Sequence, residues 1–165
     1  MKYIISGFII LSVVFNSCSK NANKCNLADS TITAPSSETT NIESYLMAAG
    51  ITGTQKTSSG VYYKITQTGT GTAIADLCSA VSVKYEGRLT NGVIFDQTTG
   101  TDVRTFTIGQ VIVGWQKGLP QISSGGKITL YIPPSLGYGN TQAGIIPPNS
   151  ILIFDIELVA VANYF

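Results

Sequence analysis

Histidine is absent from all 165 residues, and charged side chains make up only 12% of them. Without an imidazole the chain cannot assemble a Ser-His-Asp triad, a His-ligated zinc centre or histidine acid–base chemistry. An excess of one charge sign is lacking too, with 10 Lys and Arg against 9 Asp and Glu. One of the ten is Lys2, in a segment read below as removable, so the remaining side chains sum to zero. A neutral chain has no broad electrostatic reason to hold nucleic acid, because that affinity comes largely from neutralising phosphates. Long apolar runs are missing as well. The stretch Ile4 to Phe15 is shorter than the about 20 residues a bilayer-spanning helix needs. Cysteine occurs only at positions 18, 25 and 78. What is present is 44% hydrophobic residues, which with so little charge argues against disorder over most of the length. The 148 residues beyond position 17 give room for one domain and a short tail.

Lys2 precedes the apolar stretch, which has the length of a signal-peptide core and ends at Asn16-Ser17-Cys18. A small residue directly before Cys at such a boundary resembles the lipobox of bacterial lipoproteins, with Phe15 standing where Leu is usual. The resemblance implies a signal peptide over 1–17, cleavage before Cys18 and lipid attachment to its sulfur. Several acyl chains would hold the protein stably, where one alone is marginal. Ser19 after the Cys, where an Asp would signal inner-membrane retention, implies the outer membrane and its periplasmic face. The alternative is an ordinary secretory signal. In an oxidising compartment Cys25 and Cys78 either form one disulfide or remain two unpaired thiols. Their spacing does not choose between these, because a bridge depends on the distance between Cα atoms.

Residues 18–39 are rich in Ser, Asn, Thr, Lys and Ala and read as a flexible tether. Thr40-Asn41-Ile42-Glu43 has the form of a capping box. Ile42, Leu46 and Ala49 then recur at helical spacing and Gly50 can close the turn, so a short helix over about 41–49 is expected on the domain edge. From Gly60 the pattern changes to strands. Val61–Thr66 is rich in β-formers, and Val81, Val83, Tyr85, Gly87 and Leu89 alternate with Lys84, Glu86 and Arg88. Asn91-Gly92 marks a hairpin turn into Val93–Asp96. Arg104–Gly109, Ile128–Ile132 and Ile151–Val161 complete the strands, and Trp115–Gln121 is a second short helix of about two turns. The expected fold is α+β: an antiparallel sheet of five or six strands, curled around one short helix to cover its apolar face. The domain runs over 40–165, with its core at 60–160.

Six blocks carry a resemblance. They are Val83–Leu89, Gly92–Asp96, Gly109–Trp115, Ile132-Pro133-Pro134 with Gly137-Tyr138-Gly139, Gly144–Asn149, and Phe154–Leu158. Their order and approximate spacing resemble the FKBP family of peptidyl-prolyl cis–trans isomerases, over about residues 60–160. The resemblance implies an isomerase acting on X–Pro bonds, with no cofactor and no metal. Its pocket would have Trp115 as floor. Tyr85, Phe95, Asp96, Tyr138 and Phe154 would be the catalytic residues, with Asp96 at the rim. Val111, Ile112, Ile145 and Ile146 would line the substrate-binding walls, and the Tyr138 hydroxyl and Ile112 N–H would meet the peptide's carbonyls. Implied partners are proline-containing polypeptides and macrocyclic inhibitors of the immunophilin type, and the membrane through the lipid anchor, but no nucleic acid. The alternative is a low-turnover binding module or chaperone of the cell envelope on the same fold. Arg104 departs from the family, which often has an aromatic there. It is expected either to thin and cap one pocket wall or to pair with Asp96. The segment before Trp115 and the loop Asn140–Ala143 are also shorter than usual, by about two residues and one.

Overall fold

In the computed structural model, residues 25–163 are described, so Cys18 and the segment 1–17 lie outside the described residues. The elements are α1 (Ser36–Ala48), β1 (Gln55–Lys56), β2 (Tyr62–Gln67), β3 (Ala80–Leu89), β4 (Ile94–Gln97), β5 (Arg104–Thr107), α2 (Val113–Gly118), β6 (Gly126–Ile132) and β7 (Leu152–Ala162). All pairings are antiparallel, in a curled seven-stranded sheet of order β1-β2-β6-β7-β3-β4. The seventh strand, β5, pairs with the first half of β3, on the edge that β4 uses further along. The extra strand relative to expectation is β1, two exposed residues with no alternation to mark them.

The alternation of β3 does what its sequence requires. Val81, Val83, Tyr85 and Leu89 are buried, and the polar residues between them are half-exposed. The inner face closes on α2, whose Gly114 and Gly118 lie one turn apart and face Ile132 and Leu130 of β6. A Cβ at Gly118 would come within 2.6 Å of Leu130, so the two glycines let the helix backbone lie directly on the sheet. A turn of 3-10 helix at Leu119–Gln121, containing Pro120, ends α2.

Helix α1 corrects two expectations. It starts at Ser36 rather than 41, and the Thr40–Glu43 capping box is not formed, because Thr40 lies inside the helix and Pro35 precedes it without a side-chain cap. Its first turn is anchored by tertiary contact instead. Glu38 accepts hydrogen bonds from the Ser135 N–H at 3.0 Å and hydroxyl at 2.7 Å. The C-terminus behaves as read. Gly50 has φ +64°, its N–H donates to Met47 O, and Ile51 N–H donates to Leu46 O, which is a Schellman closure. The helix packs Ile42 and Leu46 on Tyr62, Tyr131 and Ile153, on the sheet face opposite α2.

The segment before α1, expected as a tether, lies against the domain from residue 25 onward. Cys25 is joined to Cys78 by a disulfide, with Cα atoms 5.6 Å apart, which decides between the two alternatives. Asp29 pairs with Lys117 of α2 at 2.6 Å, and Ala34 is buried with its N–H on Ser59 O. No helix among the described residues is long and apolar enough to cross a membrane.

Candidate functional site

A cavity of about 620 Å³ opens at the N-terminal end of α2, where the curled sheet is not filled by the helix. Each of its walls comes from a different element. Tyr85 comes from β3, Phe95 and Asp96 from β4, Arg104 and Phe106 from β5, and Phe154 from β7. Val111 and Ile112 lie in the turn entering α2, and Trp115 is in its first turn. Tyr138, Ala143 and Ile146 descend from the long connection between β6 and β7.

Trp115, only 4% exposed, forms the floor. Tyr85, Phe106 and Phe154 surround its indole at centroid distances of 5.3, 5.8 and 5.2 Å, each within 5° of perpendicular. Phe95 meets Phe154 edge-on at 5.4 Å. Edge-to-face contacts place the positive ring edge against the negative face, so the cluster holds a fixed shape. The buried indole Nε1–H has no hydrogen-bond partner among the described residues. Leaving such a group unpaired costs stability.

The rim is polar but internally neutralised. Tyr85 donates its hydroxyl hydrogen to Asp96 Oδ2 at 2.5 Å and accepts from Arg104 Nη1 at 2.7 Å. The same Nη1 donates to Asp96 Oδ1 at 3.0 Å, and the guanidinium lies 5.6 Å from the Tyr85 ring centroid. Both expectations for Arg104 are realised, and one is its pairing with Asp96. It also lines the pocket in place of an aromatic wall. Burial of Tyr85, then its hydrogen bond to the Asp96 carboxylate, pushes its phenol up to about 12, with Arg104 opposing. Asp96 thus accepts from both Tyr85 and Arg104 at the rim.

Of the residues expected in the pocket, Tyr85, Phe95, Asp96, Val111, Ile112, Trp115, Tyr138, Ile146 and Phe154 line it together. Ile145 does not. It is 61% exposed, while Ile146 is buried. The two-way hydrogen bonding of Ala143 with Ile146 makes Gly144-Ile145 the tip of a tight turn, with Gly144 at φ +58°, and this throws Ile145 outward. Phe106, Gln110 and Ala143 line the pocket without having been assigned to it. Phe106 was legible, because it falls two residues from Arg104 on one strand and so shares its face. Cys25, Asp76 and Cys78 cluster within 4.8 Å, but the two sulfurs are bonded to each other and offer no thiolate to a metal.

Comparison with known proteins agrees with this geometry. Residues 71–159 match the family model for FKBP-type peptidyl-prolyl cis-trans isomerase. A relative from Buchnera aphidicola (subsp. Schizaphis graminum), named FKBP-type peptidyl-prolyl cis-trans isomerase FkpA, is 48% identical over 113 residues, covering 67% of this chain and 44% of the relative. The crystal structure of FkpA from Escherichia coli superposes with a TM-score of 0.69 at 38% identity, covering 78% of this chain and 60% of that one. A peptidyl-prolyl cis-trans isomerase from Pseudomonas syringae pv. tomato superposes with a TM-score of 0.67 at 33% identity, covering 79% of this chain and 98% of that one. The chain spans under half the length of the curated relative from Buchnera. With the matched residues supplying β3 to β6, most of β7 and every lining residue of the aromatic pocket, the chain belongs to the FKBP-type peptidyl-prolyl cis-trans isomerase family.

Proposed function

We propose that the protein is a peptidyl-prolyl cis–trans isomerase that binds a prolyl residue over Trp115 and lowers the barrier to rotation of the preceding bond. The observation that carries this reading is an open slot whose floor and sides are aromatic and whose only lining charges, Asp96 and Arg104, neutralise each other. An X–Pro bond resists rotation by roughly 18–20 kcal/mol because amide resonance keeps it planar. The exchange takes tens to hundreds of seconds unaided. Twisting the bond breaks the resonance, which leaves a less polar carbonyl and a pyramidal nitrogen. Water favours the planar, polar form. A rigid apolar slot removes that preference, and so binds the twisted amide better than the planar one. The pyrrolidine ring has no N–H to satisfy and suits aromatic walls. In this reading Tyr138 O–H and Ile112 N–H hold the peptide's carbonyls. Tyr85, Phe95 and Phe154 set the slot's width, and Asp96 with Arg104 fixes the rim. No covalent step, proton transfer or cofactor is needed.

Substrates on this reading are exported polypeptides, and the protein is held by lipid on Cys18 in the cell envelope, at the periplasmic face of the outer membrane. Fatty-acid labelling that persists in Cys18→Ser would refute the anchor. Activity is tested with an X–Pro peptide in a protease-coupled assay. Acceleration over buffer that disappears in the Tyr138→Phe/Asp96→Ala double variant supports it, and no acceleration by the wild type refutes it. One observation favours a second reading, a low-turnover chaperone: Tyr138 and Ile145, both exposed, sit on the connection that borders the mouth. That reading requires suppression of aggregation that survives the same double substitution.

A further inference from the structure

We infer that Gln116 is a positioning residue that aims the Ile112 N–H into the pocket by holding the opposite end of the same peptide unit. The inference rests on the isomerase reading for its consequence in turnover. Its geometric part stands on the hydrogen bonds alone.

The peptide unit between Val111 and Ile112 joins two differently anchored segments. On its N-terminal side a single turn of 3-10 helix, Ile108–Gln110, ends with Val111 N–H reaching Ile108 O at a long 3.4 Å. On its C-terminal side Ile112 is the residue before α2, and its carbonyl accepts from Trp115 N–H at 2.9 Å and Gln116 N–H at 3.3 Å. Neither set of bonds involves the Val111 carbonyl or the Ile112 N–H. Both residues have extended backbone angles, φ −96° and ψ 173° at Val111, φ −55° and ψ 147° at Ile112, so no helical ladder fixes the plane between them. Ile112 N–H donates no hydrogen bond among the described residues.

The group that does reach this unit is the side-chain amide of Gln116. Its Nε2 donates to Val111 O at 2.8 Å and lies 3.4 Å from Gly109 O. Both partners are carbonyl oxygens, so only the NH₂ end of the amide fits there. A trans peptide is planar, with its C=O and N–H directed oppositely. Fixing the Val111 oxygen on Gln116 therefore fixes the direction of the Ile112 hydrogen. Gln116 does not line the aromatic slot. It lines a separate cavity of about 410 Å³ with Leu27, Leu77 and Ile108, so Val111 O is drawn away from the slot and the Ile112 N–H is turned towards it. A flip of this one unit would present the peptide with an acceptor where it needs a donor.

The test uses Gln116→Glu, which keeps the shape and has no N–H, and Gln116→Met, which removes the donor without placing a charge beside two carbonyls. Each is made in the full chain, isotope-labelled, at pH 7.5. A purely packing role predicts Glu equal to the wild type. The inference predicts the order wild type, then Met, then Glu, with kcat/KM for an Ala-Leu-Pro-Phe peptide lower by about tenfold in Glu. It also predicts an upfield move of the Val111 carbonyl carbon in both variants. The Ile112 amide proton shift that the peptide induces in the wild type should be lost. Wild-type turnover in Gln116→Glu, or an unchanged Val111 carbonyl with Ile112 still responding to peptide, overturns the inference. If the wild type binds the peptide through Ile112 but does not turn it over, the isomerase reading falls and this one stands. If Ile112 in the wild type never responds to the peptide, this inference falls.

Discussion

Gly87 offers the sharpest test of whether the aromatic slot is a rigid device. Its φ is outside the left-handed region, so alanine there would meet no backbone strain. On intrinsic grounds, replacing a strand glycine by alanine at a compatible position stabilises by about 0.4–1 kcal/mol, because the unfolded chain loses freedom. The tertiary structure reverses that sign. A Cβ at Gly87 would lie 2.6 Å from Phe95 Cε2 and 2.7 Å from Phe154 Cε1. Carbon atoms in favourable contact sit at about 3.5–4.0 Å, so both rings must retreat by about 1 Å. Phe154 cannot do so freely, since it is buried with its ring perpendicular to Trp115 at 5.2 Å. Phe95 is half-buried and moves towards the slot. Gly87→Ala should therefore lose about 1–3 kcal/mol in urea unfolding, as overpacked cores do. It should also lose at least about tenfold in kcat/KM, since a slot narrowed by a fraction of an ångström no longer admits the ring. A variant as stable as the wild type with unaltered turnover would refute the claim that these rings are held in place.

Two further predictions concern the strap and the rim. Removing the Cys25–Cys78 bridge, whose ends are 53 residues apart in sequence, releases loop-closure entropy in the unfolded chain worth about 4 kcal/mol. The double Cys→Ser variant should show this as a drop in unfolding free energy, and a loss under 1 kcal/mol on the order-of-magnitude scale of that model would contradict it. Tyr85 should titrate near 12, which an absorbance titration at about 295 nm comparing the wild type with Tyr85→Phe would isolate. Because folding raises this phenol's affinity for its proton, its contribution to stability is complete below pH of about 10. It is lost as pH rises towards 12. A Tyr85 titration near the ordinary tyrosine value would mean that the ring is not buried and bonded to Asp96 in solution as described.

Much of the fold could be read from local pattern. The alternation of Val81, Val83, Tyr85 and Leu89, the Asn91-Gly92 turn and the closing Gly50 are each decided by sterics and burial within a few neighbours, so their meaning survives without tertiary knowledge. The pocket was legible for a different reason. Its residues were assigned through the block order of the family, and alternation within a strand supports only some of them, such as Tyr85 on β3. Ile145 and Ile146 mark where this fails: both are apolar and adjacent, and only the Ala143–Ile146 hydrogen bonds decide which one is turned out.

Long-range encounters account for what the pattern left open. The capping-box letters at Thr40–Glu43 were outweighed by Glu38 meeting Ser135, 97 residues away, and by Ala34 settling in the core, so α1 starts earlier than its own sequence indicates. Arg104 had two open fates until β4 and β5 were seen to share one edge of β3, which brings its guanidinium onto Asp96 and Tyr85. Cys25 and Cys78 are too far apart in the chain for spacing to speak, and their pairing follows from where the strap crosses the domain. Periodicity and turn chemistry act over a handful of residues and are written in the order of the side chains. Contacts between distant segments depend on how the whole sheet curls, and no local stretch contains that information.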